Sequence, residues 1–155
     1  MKIKQIPEDF IVEEVLPLKI EHGNYHYYLL EKKNWNTLDI IAELKKRLNT
    51  DIGYAGIKDR NAITKQYISV ARKKINFIIK DVSFKHLGTG KERIFLGAHE
   101  GNKFTITLRD LDKKMSPPKE IINFFGEQRF SSKNVMLGKL LITKKFKEAC
   151  AELNL

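Results

Sequence analysis

The segment Tyr25–Glu31 constrains the fold most. Read as a strand, it sets His26, Tyr28 and Leu30 against Tyr27 and Leu29. Both faces are apolar apart from His26, so this strand belongs at the centre of a sheet. Upstream, Lys2–Leu16 reads as a strand interrupted by Pro7, and Glu8, Asp9, Glu13 and Glu14 make it the acidic corner of a basic chain. Downstream, Asn36 or Thr37 caps a helix whose buried stripe is expected at Leu38, Ile41, Ala42, Leu44 and Leu48. Lys45, Lys46 and Arg47 crowd its last turn, where cations favour the helix dipole or could meet phosphate.

Val82–Leu87 fits a strand or a short helix. Glu92–Ala98 is expected as a strand with Ile94 and Leu96 on one face. Phe104, Ile106 and Leu108 alternate with Lys103, Thr105, Thr107 and Arg109, which places Phe104 on the buried side of a half-buried strand by parity. Pro117-Pro118 opens a helix. A second is expected with Val135, Leu137, Leu140 and Leu141 inward, and a third runs through Leu153. On its face Phe146, Ala149, Cys150 and Leu153 suggest that Cys150 is a packed thiol. Strands dominate the first two thirds and helices the last. The expected class is α+β, a mixed, largely antiparallel sheet with helices on one face, in one domain over residues 1–155.

Charge narrows the function classes. Lys and Arg number 29 against 19 Asp and Glu, a formal net charge of +10. That excess favours an anionic partner, and nucleic acid before membrane, because no unbroken apolar span or long basic amphipathic helix is present. The single Cys150 excludes an internal disulfide framework and fits a reducing, cytoplasmic setting. The first residues lack the apolar core of a signal peptide. His22, His26, His86 and His99 have no partners at metal-ligand spacing, so no metal is expected.

The chemistry-bearing stretch is Gly53–Gln66. Glycine-spaced small residues run into Asp59, which is flanked by Lys58 and Arg60 and followed by the alternating Tyr67-Ile68-Ser69-Val70. The pattern reads as strand, exposed loop, strand. An acid between cations should stay ionised with a lowered pKa, suited to a nucleophile or an ion-pair anchor. Taken alone, Asp-Arg-Asn reads first as ordinary turn chemistry, with catalysis the minority option.

Three further stretches shift that balance: Lys4-Gln5-Ile6-Pro7-Glu8-Asp9-Phe10, Gly101-Asn102-Lys103-Phe104, and Asn123–Phe130. In this order and spacing the four stretches resemble the TruD family of tRNA pseudouridine synthases, over nearly the whole chain but only the amino-terminal part of the longer family sequence. Ser131 stands where the pattern has glycine. The resemblance implies a catalytic aspartate at Asp59, a lysine at Lys4 paired with it, and an active-site pair of Asn102 and Phe104, the phenylalanine stacking on the target uracil. It implies isomerisation of uridine to pseudouridine in tRNA, typically at position 13, without metal or cofactor. Lys58, Arg60 and Arg129 are candidates for RNA contact. The flanking glycines would let an RNA backbone approach. The partners implied are tRNA or another structured RNA, and a second chain or carboxy-terminal part completing the site. The chain alone is expected to be a poor catalyst. The competing readings are a basic RNA-binding module without chemistry and a subunit that docks by its sheet edge.

Overall fold

The computed structural model describes residues 1–112 and 133–153. The expectations for Pro117-Pro118 and for Asn123–Phe130, Arg129 included, lie outside them. By its contacts the chain divides into two compact units, Met1–Lys114 and Met115–Leu155.

The first unit is built on a six-stranded sheet. In chain order come β1 (Lys2–Ile3), a 3-10 turn (Pro7–Asp9), β2 (Phe10–Val15), β3 (Tyr25–Lys33), α1 (Thr37–Leu48), β4 (Ile52–Tyr54), β5 (Ile63–Ala71), β6 (Val82–Gly90), β7 (Gly101–Ile106) and β8 (Leu108–Arg109). The sheet order is β6-β3-β5-β2-β7, with β4 also on β5, while β1 and β8 form a separate ribbon. Only β2 and β5 run parallel among these pairs. The strand predicted to be central, β3, lies between β5 and β6.

One edge of β5 changes partner along its length. Residues 63–65 pair with β2, and residues 68–70 pair with β4. The loop joining β4 to β5, residues 55–62, therefore leaves the sheet where these two strands part, and Asp59 lies on it.

α1 covers one face of the sheet. Its Ile40, Ile41, Leu44 and Leu48 pack with Tyr28, Leu30, Ile52, Ile68 and Val70 in the main core. Asn36 caps the helix, its side chain accepting from Leu38 N–H. The stripe differs from the expected one: Leu38 is 43% exposed and Ala42 is exposed, while Ile40 is fully buried. The buried stripe is Thr37, Ile40, Ile41, Leu44 and Leu48, and the Thr37 hydroxyl donates to Gln66 Oε1 at 3.1 Å. The opposite face has a smaller core of Tyr27, Ala55 and Ile94.

Two strand expectations fail for local reasons. Residues 92–98 form no strand. They cross β4 as irregular chain, held by Ile94 N–H on Ser69 Oγ (3.0 Å) and Gly97 N–H on Ala55 O (2.8 Å). Gly97 has φ +87°, which ends any pleat. Phe104, Ile106 and Leu108 are 55%, 49% and 38% exposed rather than buried. β7 closes the sheet order, and α1 covers the β3–β5 part of this face.

In the second unit α2 (Asn134–Ile142) buries none of its side chains, with Val135 77% and Leu141 53% exposed, and α3 (Phe146–Leu153) buries Ala149. Cys150 is exposed, not packed: the buried position is its neighbour Ala149.

Candidate active site

Site construction begins with the loop at residues 55–62, which is fixed by side chains rather than by strand pairing. Gln66 Nε2 donates to Gly56 O (3.1 Å), Lys58 N–H donates to Thr37 Oγ1 (3.1 Å), and Lys32 Nζ donates to the carbonyl oxygens of Asp59 and Trp35, both at 2.8 Å. Lys58 Nζ lies 2.5 Å from Glu14 Oε1, and both side chains are buried. The other carboxylate oxygen of Glu14 accepts from Tyr67 N–H at 2.9 Å, in the gap where β5 changes partner. Breaking such a buried pair costs about 3–5 kcal/mol.

These contacts place Asp59. Its Oδ2 lies 2.8 Å from Lys4 Nζ, 55 positions earlier, with the side chains 31% and 36% exposed. Lys4 has φ +55°, a left-handed conformation uncommon for a non-glycine residue. Its surroundings over-determine it. Asp9 is buried and accepts from Gln5 and Ile6 N–H, while Arg109 grips both its oxygens at 2.8–2.9 Å. Arg109 in turn belongs to β8, which pairs with β1. The guanidinium and the backbone donors hold the Asp9 carboxyl below its ordinary pKa of 3.8.

The Lys4 ammonium also sits 3.5 Å above the Phe10 ring, a cation–π contact, and Phe10 meets Phe104 with ring centroids 5.8 Å apart. Phe104 pairs across the sheet with Val12, and Asn102 with Glu14, so both share the face of Asp59's pocket. That pocket, about 370 Å³, is lined by Phe10, Lys58, Asp59, His99, Asn102 and Phe104 among others. The volume suits a small ligand or a single base.

The structure thus brings together Lys4, Asp59, Asn102 and Phe104. The two cations flanking Asp59 in sequence stand otherwise. Lys58 is 7% exposed and committed to Glu14, so it is not presented to phosphate. Arg60 is exposed and donates to Asn34 O at 3.3 Å. The glycines are corrected too. A side chain at Gly53 would collide with Ile94 O, so it is this chain's own backbone that approaches there.

Sequence reading did not single out Glu14, Lys32, Phe10 or His99. Burial lowers the Lys32 pKa to about 8, with the Asp59 charge opposing that shift. Lys32 falls just past the strand expected at Tyr25–Glu31, in the charged run Glu31-Lys32-Lys33, which offered no signal of burial. His99 was set aside as one of four scattered histidines, although it stands three residues before Asn102.

A family profile described as tRNA pseudouridine synthase D (TruD) matches residues 1–154. The chain belongs to the TruD family. A Pyrococcus abyssi protein named "Probable tRNA pseudouridine synthase D" is 42% identical over 96% of this chain and 41% of its own length. An Aquifex aeolicus tRNA pseudouridine synthase D is 35% identical over 98% and 46%. The crystal structure of a TruD protein from Methanosarcina mazei superposes with a TM-score of 0.81 at 30% identity, covering 96% of this chain and 40% of that one. This TruD-family chain therefore spans less than half the length of these relatives. It has the expected α+β fold with a mixed, largely antiparallel sheet. Among the described residues no helix is long and apolar enough to cross a membrane.

Proposed function

We propose that this chain carries the catalytic aspartate of an enzyme that converts uridine to pseudouridine in tRNA, at the family's position 13, with Asp59 as nucleophile. The observation that carries the reading is the Lys4–Asp59 ion pair at the mouth of a pocket walled by Phe104 and Asn102. A carboxylate at Asp59 can attack the ribose C1′, the C1′–N1 bond electrons leaving with the uracil; removal of a sugar proton is the other route open to it. After the ring turns, C5 bonds to C1′ as the carboxylate is released, and the proton lost from C5 is balanced by one taken up at N1. Lys4 holds Asp59 ionised as the RNA excludes water. The target base must leave its stack, at a cost of about a few kcal/mol. Phe104, 55% exposed, offers a replacement stacking surface worth on the order of 1–3 kcal/mol.

The net charge of +10 supports tRNA as partner, with Arg60 and Arg129 as candidate contacts and a carboxy-terminal part or second chain completing the site. Asp59→Asn in the complete enzyme tests the assignment: pseudouridine formation, read by mass analysis of tRNA, should cease while tRNA binding persists. Unchanged turnover would sink the assignment of Asp59 as nucleophile.

A further inference from the structure

β3 and β6 each carry a histidine, and the fold brings together two rings that spacing along the chain keeps apart. His26 Nδ1 and His86 Nε2 lie 3.2 Å from one another, with ring centroids 5.4 Å apart. Tyr28 pairs with His86 but Tyr27 with Gly88, so Leu87 is an extra residue in β6, a β-bulge. Bulges of this kind re-aim side chains and are treated as built features of a sheet. His26 shares a strand face with Tyr28 by parity, and His86 stands opposite Tyr28. The His86 ring meets the Tyr28 ring edge-on at 5.0 Å. Tyr28 is itself buried, and its hydroxyl accepts from Ile75 N–H at 3.0 Å. Both imidazoles therefore stand on firm supports, with His26 half-buried and His86 exposed. A hydrogen bond between two neutral rings adds only about 0.5–1.5 kcal/mol, and it is lost when both rings are protonated.

We propose that His26 and His86 bind a late first-row divalent metal ion, of the nickel, copper or zinc kind, as a bridge that ties β6 to β3. Metal–nitrogen bonds of about 2.0–2.1 Å to atoms 3.2 Å apart meet at about 100–106°, close to tetrahedral. Each bonding nitrogen needs a free lone pair, so the ring protons sit on His26 Nε2 and His86 Nδ1. Burial, then the charges of His86 and Lys74, hold His26 below its ordinary pKa of 6.5. It is thus unprotonated at neutral pH, the form a metal requires. Among the described residues no third histidine, cysteine or carboxylate joins the pair, so water fills the remaining positions. Lys74 opposes any cation, which leaves the choice of metal to nitrogen bonding. Ions that favour imidazole bind, and magnesium and calcium, which take oxygen ligands, do not. β6 stands at one end of the sheet order, and the bridge holds that strand against β3. The proposal is independent of the pseudouridine reading, because it uses no residue of the Asp59 pocket.

The test titrates the complete enzyme with Ni²⁺ alone, Zn²⁺ alone or Mg²⁺ alone, by calorimetry at neutral pH. Nickel and zinc should bind, and magnesium should not compete with them. His26→Ala and His86→Ala should each weaken the binding by about 10- to 100-fold, since a lost ligand costs at least what a lost outer partner costs. His22→Ala and Cys150→Ala, which remove other metal-capable side chains, should leave it intact. Affinity should fall as pH drops through the histidine range, because protons compete for the same lone pairs. The metal should also raise the melting temperature of the wild type and not that of His86→Ala. His86 is exposed, so His86→Ala should keep the fold, with circular dichroism as the check; if it does not, the pH profile of the wild type decides. Absence of nickel and zinc binding overturns the proposal. So does equal affinity in wild type and both alanine variants, or an affinity that is flat across the histidine range. Binding without a shift in melting temperature overturns the bridge. Asp59→Asn should bind metal as the wild type does, so the fate of the pseudouridine reading is settled separately.

Discussion

Asp59 receives its counter-ion from Lys4, 2.8 Å away across 55 residues of chain, and Lys4 holds that position in a left-handed backbone conformation. The pair is about one-third exposed, so water screens it and it contributes little to folding. Lys4→Ala should therefore shift thermal stability by less than about 1 kcal/mol. It should nonetheless reduce pseudouridine formation strongly in the complete enzyme. Loss of the fold in Lys4→Ala, seen by calorimetry, would show that the pair is structural instead.

The buried ion pair behaves oppositely. Lys58→Met leaves the Glu14 carboxylate with no counter-ion, and unfolding in denaturant should show a loss of about 3–5 kcal/mol. Changing Glu14→Leu at the same time should recover part of it, although Tyr67 N–H then loses its acceptor. A stable Lys58→Met that instead flattens the salt dependence of tRNA binding would return Lys58 to the phosphate contacts.

Phe104 is more than half exposed and packs mainly on Phe10. Phe104→Ala should weaken productive binding of the target uridine by about 1–3 kcal/mol, with a smaller effect on stability. Phe104→Tyr should keep most activity. Equal losses in the two variants would argue against stacking.

Two titrations should be visible. Lys32 has a folded pKa lowered to about 8 from 10.5, so the unfolded chain binds more protons between these values. Lys32 should therefore make the protein more stable as pH rises from 8 toward 10.5. Over the same range it loses the positive charge behind Asp59, and activity should fall. Lys32→Met should remove both trends. At the acid end, the Asp9 pKa is lowered by Arg109, so its contribution is present above pH 3.8 and is lost as pH falls below it. Asp9→Asn should reduce stability near neutrality and flatten this acid limb, as followed by pH-dependent melting.

The sequence displayed the elements of the site more clearly than their support. β3 was legible because its apolar residues occupy both faces. Asp59, Lys4, Asn102 and Phe104 were legible as a set through their motifs. The partner of Lys58 was not, because Glu14 is 44 positions away and charge order along the chain says nothing about which acid folds beneath it. Residues 92–98 looked like a strand because Ile94 and Leu96 alternate, yet their hydrogen bonds go to the Ser69 side chain and the Ala55 carbonyl instead of a ladder. Parity expected Phe104, Ile106 and Leu108 on one buried face, yet all three are exposed and Leu108 belongs to the separate β1–β8 ribbon, because parity cannot report where α1 packs.

The two oxygens of Glu14 serve different masters: one closes a rung of the sheet through Tyr67, and the other anchors the aspartate loop through Lys58. A single substitution there would strike scaffold and site together. For protein engineering this makes position 14 resistant to stepwise change. Variants that retune the loop should arise at Thr37 or Gln66 first, whose side chains reach the loop without standing in for a backbone partner of β5.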